Sequence, residues 1–170
     1  MKLHLGCGDV KLPGFVNVDI RPEVHPDVVS DISKLSKFRD NTAEIIYLCH
    51  GLEHFRYYEV PAMLVEYKRV LVDGGDLYLA VPDFGAMASE YVFGMIELNT
   101  VKAALCGGQE YGENTHYSLW DRGLLTKYLR EAGFIQVRTY EPQALLPKGV
   151  RDYSTFAIGG VLMSLNLRAS

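Results

Sequence analysis

The first thirty-two residues constrain the fold more than any other part of this chain. Leu3-His4-Leu5 runs into Gly6-Cys7-Gly8-Asp9, Val16-Asn17-Val18 ends in Asp19-Ile20, and Val28-Val29-Ser30 ends in Asp31-Ile32. Three short apolar runs, each closed by glycine or an acid, predict parallel strands whose carboxyl ends meet at one edge of a sheet. A Gly-x-Gly turn reverses the backbone sharply and brings it close to a ligand with no Cβ in between. An acid closing the next strand can accept two hydrogen bonds from ribose hydroxyls, and Asp31 at the third strand end could read an adenine amino group. Each feature has a plainer reading. Glycines punctuate many turns, Asp19 could only shape a strand end, and Asp31 could cap a helix starting near Ser33.

Spacing narrows the choice of nucleotide. A dinucleotide fingerprint needs a third glycine, a full crossover helix and an acid roughly 20 residues on. Here Asp19 comes only about ten residues after Gly8, and Asp9-Val10-Lys11-Leu12-Pro13-Gly14-Phe15 is too short and too interrupted for a helix. The helix N-terminus that holds a pyrophosphate is missing, which disfavours NAD and FAD. S-adenosylmethionine carries no phosphate and does not need it.

Composition removes further classes. A chain of 170 residues suits one domain over residues 1–170, and a net charge of −4 leaves no broad basic surface for nucleic acid. No apolar run is long enough to span a membrane, and no leader is read at the start, so a cytoplasmic protein is expected. Cys7, Cys49 and Cys106 are odd in number and widely spaced, which suits reduced thiols rather than disulfides or a CxxC metal site.

Further along, Ser33 to Phe38 predicts a short helix and Glu44 to Cys49 a strand buried on both faces, ending at His50-Gly51. Tyr58 to Val72 predicts an amphipathic helix stopped by Asp73-Gly74-Gly75, followed by a strand over Leu77–Val81. Phe84 to about Leu105 reads as helix interrupted at Gly94 and Asn99, and Gly107 to Tyr117 as loop. Ser118-Leu119-Trp120-Asp121 resembles a capping box before a helix over Arg122–Ala132. Strands over Ile135–Tyr140 and Gly159–Leu167 close the chain. The stretch between them, Glu141 to Thr155, has no helical period, so they should pair antiparallel. The expected fold is α/β: a Rossmann-like, seven-stranded, mostly parallel sheet with a C-terminal antiparallel strand and helices on both faces.

The glycine turn with Asp19 and Asp31 resembles motifs I to III of the class I S-adenosylmethionine-dependent methyltransferases. Leu52-Glu53-His54-Phe55 and Glu66 to Gly75 resemble the stretches after their fourth strand. The resemblance implies S-adenosylmethionine as cofactor, approached by Gly6, Cys7, Gly8, Asp19, Ile20, Asp31, Ile32, Cys49 and His50, with Glu53 and His54 structural. The short first crossover looks like a subgroup often associated with bacterial surface-polysaccharide synthesis, so a small-molecule or carbohydrate-containing acceptor is expected. Methyl transfer from a sulfonium is an in-line displacement, in which a base is optional. If one is used, His116 and then His50 are the candidates, and Asp83 could hold acceptor hydroxyls. No Asn or Asp followed by Pro-Pro and an aromatic stands after the fourth strand, which argues against methylation of adenine or glutamine amino groups.

Two rivals remain. A cofactor-binding protein without catalysis could share the fold. His50-Gly51-Leu52-Glu53-His54 also matches H-x-x-E-H, a zinc-hydrolase motif that requires all five residues on one helix. Gly51 directly after a strand speaks against that helix, and no third ligand is evident downstream, so no metal is expected. The acceptor and the oligomeric state are not legible in the sequence.

Overall fold

The computed structural model describes residues 1–110 and 112–170; Tyr111 of the expected loop lies outside them. Strands β1 (Lys2–Leu5), β2 (Val16–Asp19), β3 (Val28–Val29), β4 (Ala43–Cys49) and β5 (Leu71–Pro82) join β6 (Val137–Thr139) and β9 (Ser164–Ala169) in one seven-stranded sheet. Its order is β3-β2-β1-β4-β5-β9-β6. β1 to β5 pair parallel, and β9 runs antiparallel between β5 and β6. β7 (Ala157–Ile158) and β8 (Val161–Leu162) form a separate hairpin.

Alternation along the strands sorts two faces. Leu3, Leu5, Val18, Ile46, Leu48, Leu77 and Leu79 enter the main core, which is shared with Met63, Leu64, Tyr67 and Val70 of α1 (Val60–Val70) and Leu125 and Leu129 of α4 (Arg122–Glu131). On the other face Tyr47 packs with Leu12 and Leu146, so the segments around Val10–Phe15 and Leu145–Val150 close it. His4 stacks on Tyr47 at 5.3 Å and meets Asn17 Oδ1 through Nδ1 at 3.1 Å. α2 (Phe84–Val92) and α3 (Leu98–Cys106) hold a smaller cluster of Met87, Ile96, Val101 and Met163.

Several boundaries differ from the sequence expectations, each for a physical reason. Ser33 to Phe38 is a series of turns rather than a helix. Phe38 N turns back to Leu35 O at 2.8 Å, and the Arg69 guanidinium donates to Leu35 O and Phe38 O at 3.3 and 3.1 Å, holding the segment as turns against α1. α1 runs directly into β5: its terminal carbonyls, on Arg69 and Val70, accept from the N–H groups of Asn41 and Thr42. Asp73-Gly74-Gly75 is therefore a bulge inside β5, where the register jumps from Ala43↔Leu71 to Ile45↔Asp76. The helix after Phe84 breaks near Gly94, φ +71°, as expected, but the expected break at Asn99 is absent: α3 runs through it from Leu98 to Cys106. The cap of α4 is Asp121, accepting from Leu124 N at 2.7 Å; Ser118 Oγ is buried without a partner. Gly159 opens a turn instead of a strand, since Gly159 and Gly160 both have positive φ, as a two-residue hairpin of β7 and β8 requires.

Candidate functional site

The strand order reverses direction between β1 and β4, so the crevice at their carboxyl ends is where an open α/β sheet binds ligands. Gly6 and Gly8 enter that crevice with φ of +58° and +50°. A Cβ on Gly6 would stand 3.5 Å from both Ile32 Cδ1 and Leu48 Cδ1. Cys7 N donates to Val18 O at 3.1 Å, which carries the β1–β2 pairing into the turn.

Asp19 is not at a solvent-facing strand end. It is 5% exposed, and its carboxylate already organises the turn. Oδ2 accepts from Gly8 N at 2.8 Å, and Oδ1 accepts from Arg21 N at 2.9 Å and faces Arg21 Nε at 3.4 Å. A carboxylate oxygen has two acceptor directions, so Oδ2 can still take a ligand hydroxyl while holding Gly8. Ile20 beside it is 55% exposed, an apolar surface at the same edge. Asp31 is exposed and accepts from Ser33 N at 2.8 Å, closing a turn as its plainer reading expected, although no helix follows. Sequence reasoning missed Arg21 and also Lys11, whose ammonium donates to Gly8 O. The one signal was their closeness in sequence to the motif.

Cys49 ends β4 half-buried, with its thiol pushed well up by burial. His50 follows in a left-handed conformation, φ +46°, with its N–H on Ala80 O. Its ring stacks on Tyr153 at 5.4 Å and meets Ser164 Oγ through Nε2 at 3.0 Å. Burial lowers its pKa to about 3, which leaves a neutral ring at pH 7. Tyr153 and Ser164 arrive from the far end of the chain. Asp152 anchors that segment by accepting from Tyr47 Oη at 2.6 Å and from Ser154 N at 2.9 Å.

His116 is half-buried, in the loop before α4. Its Nδ1 lies 3.0 Å from Ala104 O, and burial lowers its pKa to about 4. Asp83 caps α2, accepting from Ala86 N at 3.1 Å. The H-x-x-E-H residues do not share an α-helix, because Leu52–His54 is a single 3₁₀ turn. That turn instead brings Glu53 and His54 against His116, a grouping that no sequence spacing announced.

Two clefts flank these elements. One of about 410 Å³ lies between Ser33-Lys34 and α1, and one of about 560 Å³ is lined by Gln143, Lys148, Arg151 and Thr155 among others. Among the described residues no helix is long and apolar enough to cross a membrane.

Residues 3–79 match the family described as "Methyltransferase domain". No curated protein matches the chain by sequence. Solved structures share its fold at low identity. A SAM-dependent methyltransferase from Archaeoglobus fulgidus has a TM-score of 0.61 at 16% identity, covering 99% of this chain and 83% of that one. A SAM-dependent methyltransferase from Thermotoga maritima, described as a possible histamine N-methyltransferase, gives 0.60 at 16% identity, with 99% and 80% covered. The CMeT domain structure of the citrinin polyketide synthase gives 0.59 at 16%, with 99% and 45% covered.

Proposed function

We propose that this chain, a class I S-adenosylmethionine-dependent methyltransferase by fold and by the family sequence of residues 3–79, methylates a small-molecule or carbohydrate-containing acceptor. The observation that carries the reading is the Asp19 carboxylate held against Gly8 N at the reversal of strand order. The residues fit the cofactor. Two left-handed glycines leave room for its backbone approach, Asp19 Oδ2 offers an acceptor to ribose, and exposed Ile20 with Ile32 offers apolar surface to adenine. Asp31 at the third strand end, Cys7 in the turn and Cys49 after β4 complete the edge. When bound, S-adenosylmethionine supplies an electrophilic methyl group on a sulfonium.

The protein's own contribution is positioning. Aligning two reactants can supply about 7–11 kcal/mol of a barrier. His50, at the end of β4, is pinned by Ser164 and Tyr153, and its neutral ring can accept or donate a hydrogen bond there. With pKa values of about 3 and 4, His50 and His116 are poor proton acceptors at neutral pH, so an acceptor that needs no strong base suits the site. The 560 Å³ cleft offers Gln143, Lys148, Arg151 and Thr155 to a hydroxylated or acidic acceptor. A net charge of −4 supports a partner other than nucleic acid, and three free cysteines suit the cytoplasm. The test is calorimetry with S-adenosylhomocysteine, expected to bind with Kd near 1 μM, about −8 kcal/mol. Binding of NAD in its place would overturn the cofactor. Cofactor binding without turnover on any hydroxylated or acidic acceptor would favour the non-catalytic rival.

A further inference from the structure

The 3₁₀ turn after β4 and the loop before α4 meet around a buried acid. Glu53 is 1% exposed, and neither carboxylate oxygen has a hydrogen-bond partner. An ionised carboxylate left so would be strongly destabilising, because its lost hydration is replaced by nothing. Its neighbours are imidazoles. His50 Nδ1 stands 3.7 Å and His116 Nε2 4.0 Å from Oε1, and His54 lies edge-on to His116 with ring centroids 4.7 Å apart. One carboxylate oxygen and one nitrogen from each of these two rings fall within 4.8 Å of one another.

The two rings are held from behind in the same way. His116 Nδ1 is 3.0 Å from Ala104 O, and His54 Nδ1 is 3.2 Å from Thr115 O. A carbonyl oxygen only accepts, so each Nδ1 carries the proton that faces it. Metal-ligating histidines are oriented in this manner, one nitrogen on a backbone carbonyl and the other on the ion. A buried carboxyl with no hydrogen-bond partner, set beside two imidazoles, is a donor set that a cation can gather.

We propose that Glu53, His54 and His116 form a binding site for a divalent transition-metal ion of the zinc class, with a fourth position open to water. Two imidazoles and one carboxylate suit zinc, cobalt or nickel better than calcium or magnesium, which prefer oxygen. Ligand atoms around tetrahedral zinc stand about 3.3 Å apart, so the three groups close by under about 1.5 Å. The ion would staple the loop before α4 to the turn after β4, reinforcing the hydrogen bonds from Tyr117 N and Ser118 N to Glu53 O. His50 faces the same acid, with Nδ1 3.7 Å from Oε1, but it lies outside the cluster of three and its Nε2 engages Ser164. The site therefore differs from the H-x-x-E-H reading in that His116 stands in place of His50 and Glu53 is a ligand rather than the base that activates water.

Protein stripped with chelator is titrated with Zn²⁺ by calorimetry and with Co²⁺ by visible absorption. One equivalent per chain, tetrahedral cobalt bands, and binding at least 100-fold weaker in His54→Gln and His116→Gln are expected, with His50→Gln binding as the wild type does. His116→Cys should retain Co²⁺ and add a thiolate-to-cobalt charge-transfer band, which keeps the test decisive if the glutamine variants fail to fold. No stoichiometric uptake by the wild type would overturn the site and leave a protonated Glu53 in its place. Unchanged binding in His116→Gln, or loss in His50→Gln, would overturn the ligand set. The readout is metal occupancy and is independent of methyl transfer.

Discussion

Asp19 has two tasks that a single substitution can separate. Its Oδ2 satisfies Gly8 N inside the turn, and on the proposed function the same oxygen also takes a ribose hydroxyl. Asp19→Ala leaves a part-buried N–H unpaired and is expected to cost about 1–3 kcal/mol in urea unfolding, as well as lowering S-adenosylhomocysteine affinity. Asp19→Asn keeps one oxygen acceptor and should recover much of the stability, while binding stays at least tenfold weaker because the charge-assisted bonds are gone. Equal affinity in folded Asp19→Ala would return the residue to a purely local role. The acid at the strand end was legible in the sequence; its burial was not, because it depends on Arg21 folding back over it. His116 was likewise legible only as a histidine in a loop. What buries it comes from Ala104 and Glu53, 12 and 63 positions away along the chain.

Elements with their own local logic were read well. β1, β2 and β4 place Leu3, Leu5, Val18, Ile46 and Leu48 in the core, and β1 and β2 end at a glycine and an acid, so local pattern sufficed. Elements defined by distant partners were not. Arg69 on α1 donates to Glu66 at 2.7 Å and to Asp40, Leu35 O and Phe38 O, and so ties the turns over 33–38 to that helix. Arg69→Ala should cost about 2–3 kcal/mol, and Arg69→Lys should recover little, because an ammonium cannot span four acceptors lying in different directions. This contribution carries a pH signature. Arg69 holds the Glu66 carboxyl below its usual 4.5, so its stabilisation is complete above that pH and lost as pH falls through the lowered value. The stability gap between wild type and Arg69→Ala should therefore narrow below about pH 4.5; a constant gap would mean the loss is one of packing alone. The β5 bulge makes a second element-scale prediction. A Cβ at Gly75 would stand 3.0–3.2 Å from three backbone carbonyl oxygens, whereas Gly14, at φ +79°, has nothing within 4 Å. Gly75→Ala should cost about 1–3 kcal/mol by crowding and Gly14→Ala only about 1 kcal/mol by backbone conformation, both measured by urea unfolding.

Across the whole molecule, the crevice is assembled from β1, β2 and β4, so a ligand there bridges strands that sequence separates by more than forty residues. S-adenosylhomocysteine at a hundred times its Kd should stabilise the chain by about 2.7 kcal/mol, a rise in Tm of roughly 5–10 °C. No shift at that concentration would show that the edge is not the ligand site. The seven-strand order with one reversed member was foreseeable from the missing crossover between the last two strands. The insertion of β9 between β5 and β6, rather than at the sheet's rim, becomes visible only when Leu77↔Ala169 and Val137↔Ala169 are both paired. That insertion bears on how the protein is made. A ribosome delivers β5 and β6 well before β9, so for the time needed to add the intervening residues both strands present open edges. Nascent chains arrested before Ser164 should be cleaved readily by protease within β6, and those extended past Ser170 should resist. For this sheet, vectorial synthesis leaves a window of exposure that only the last-made strand closes, and the protein's yield in a cell depends on how briefly that window stays open.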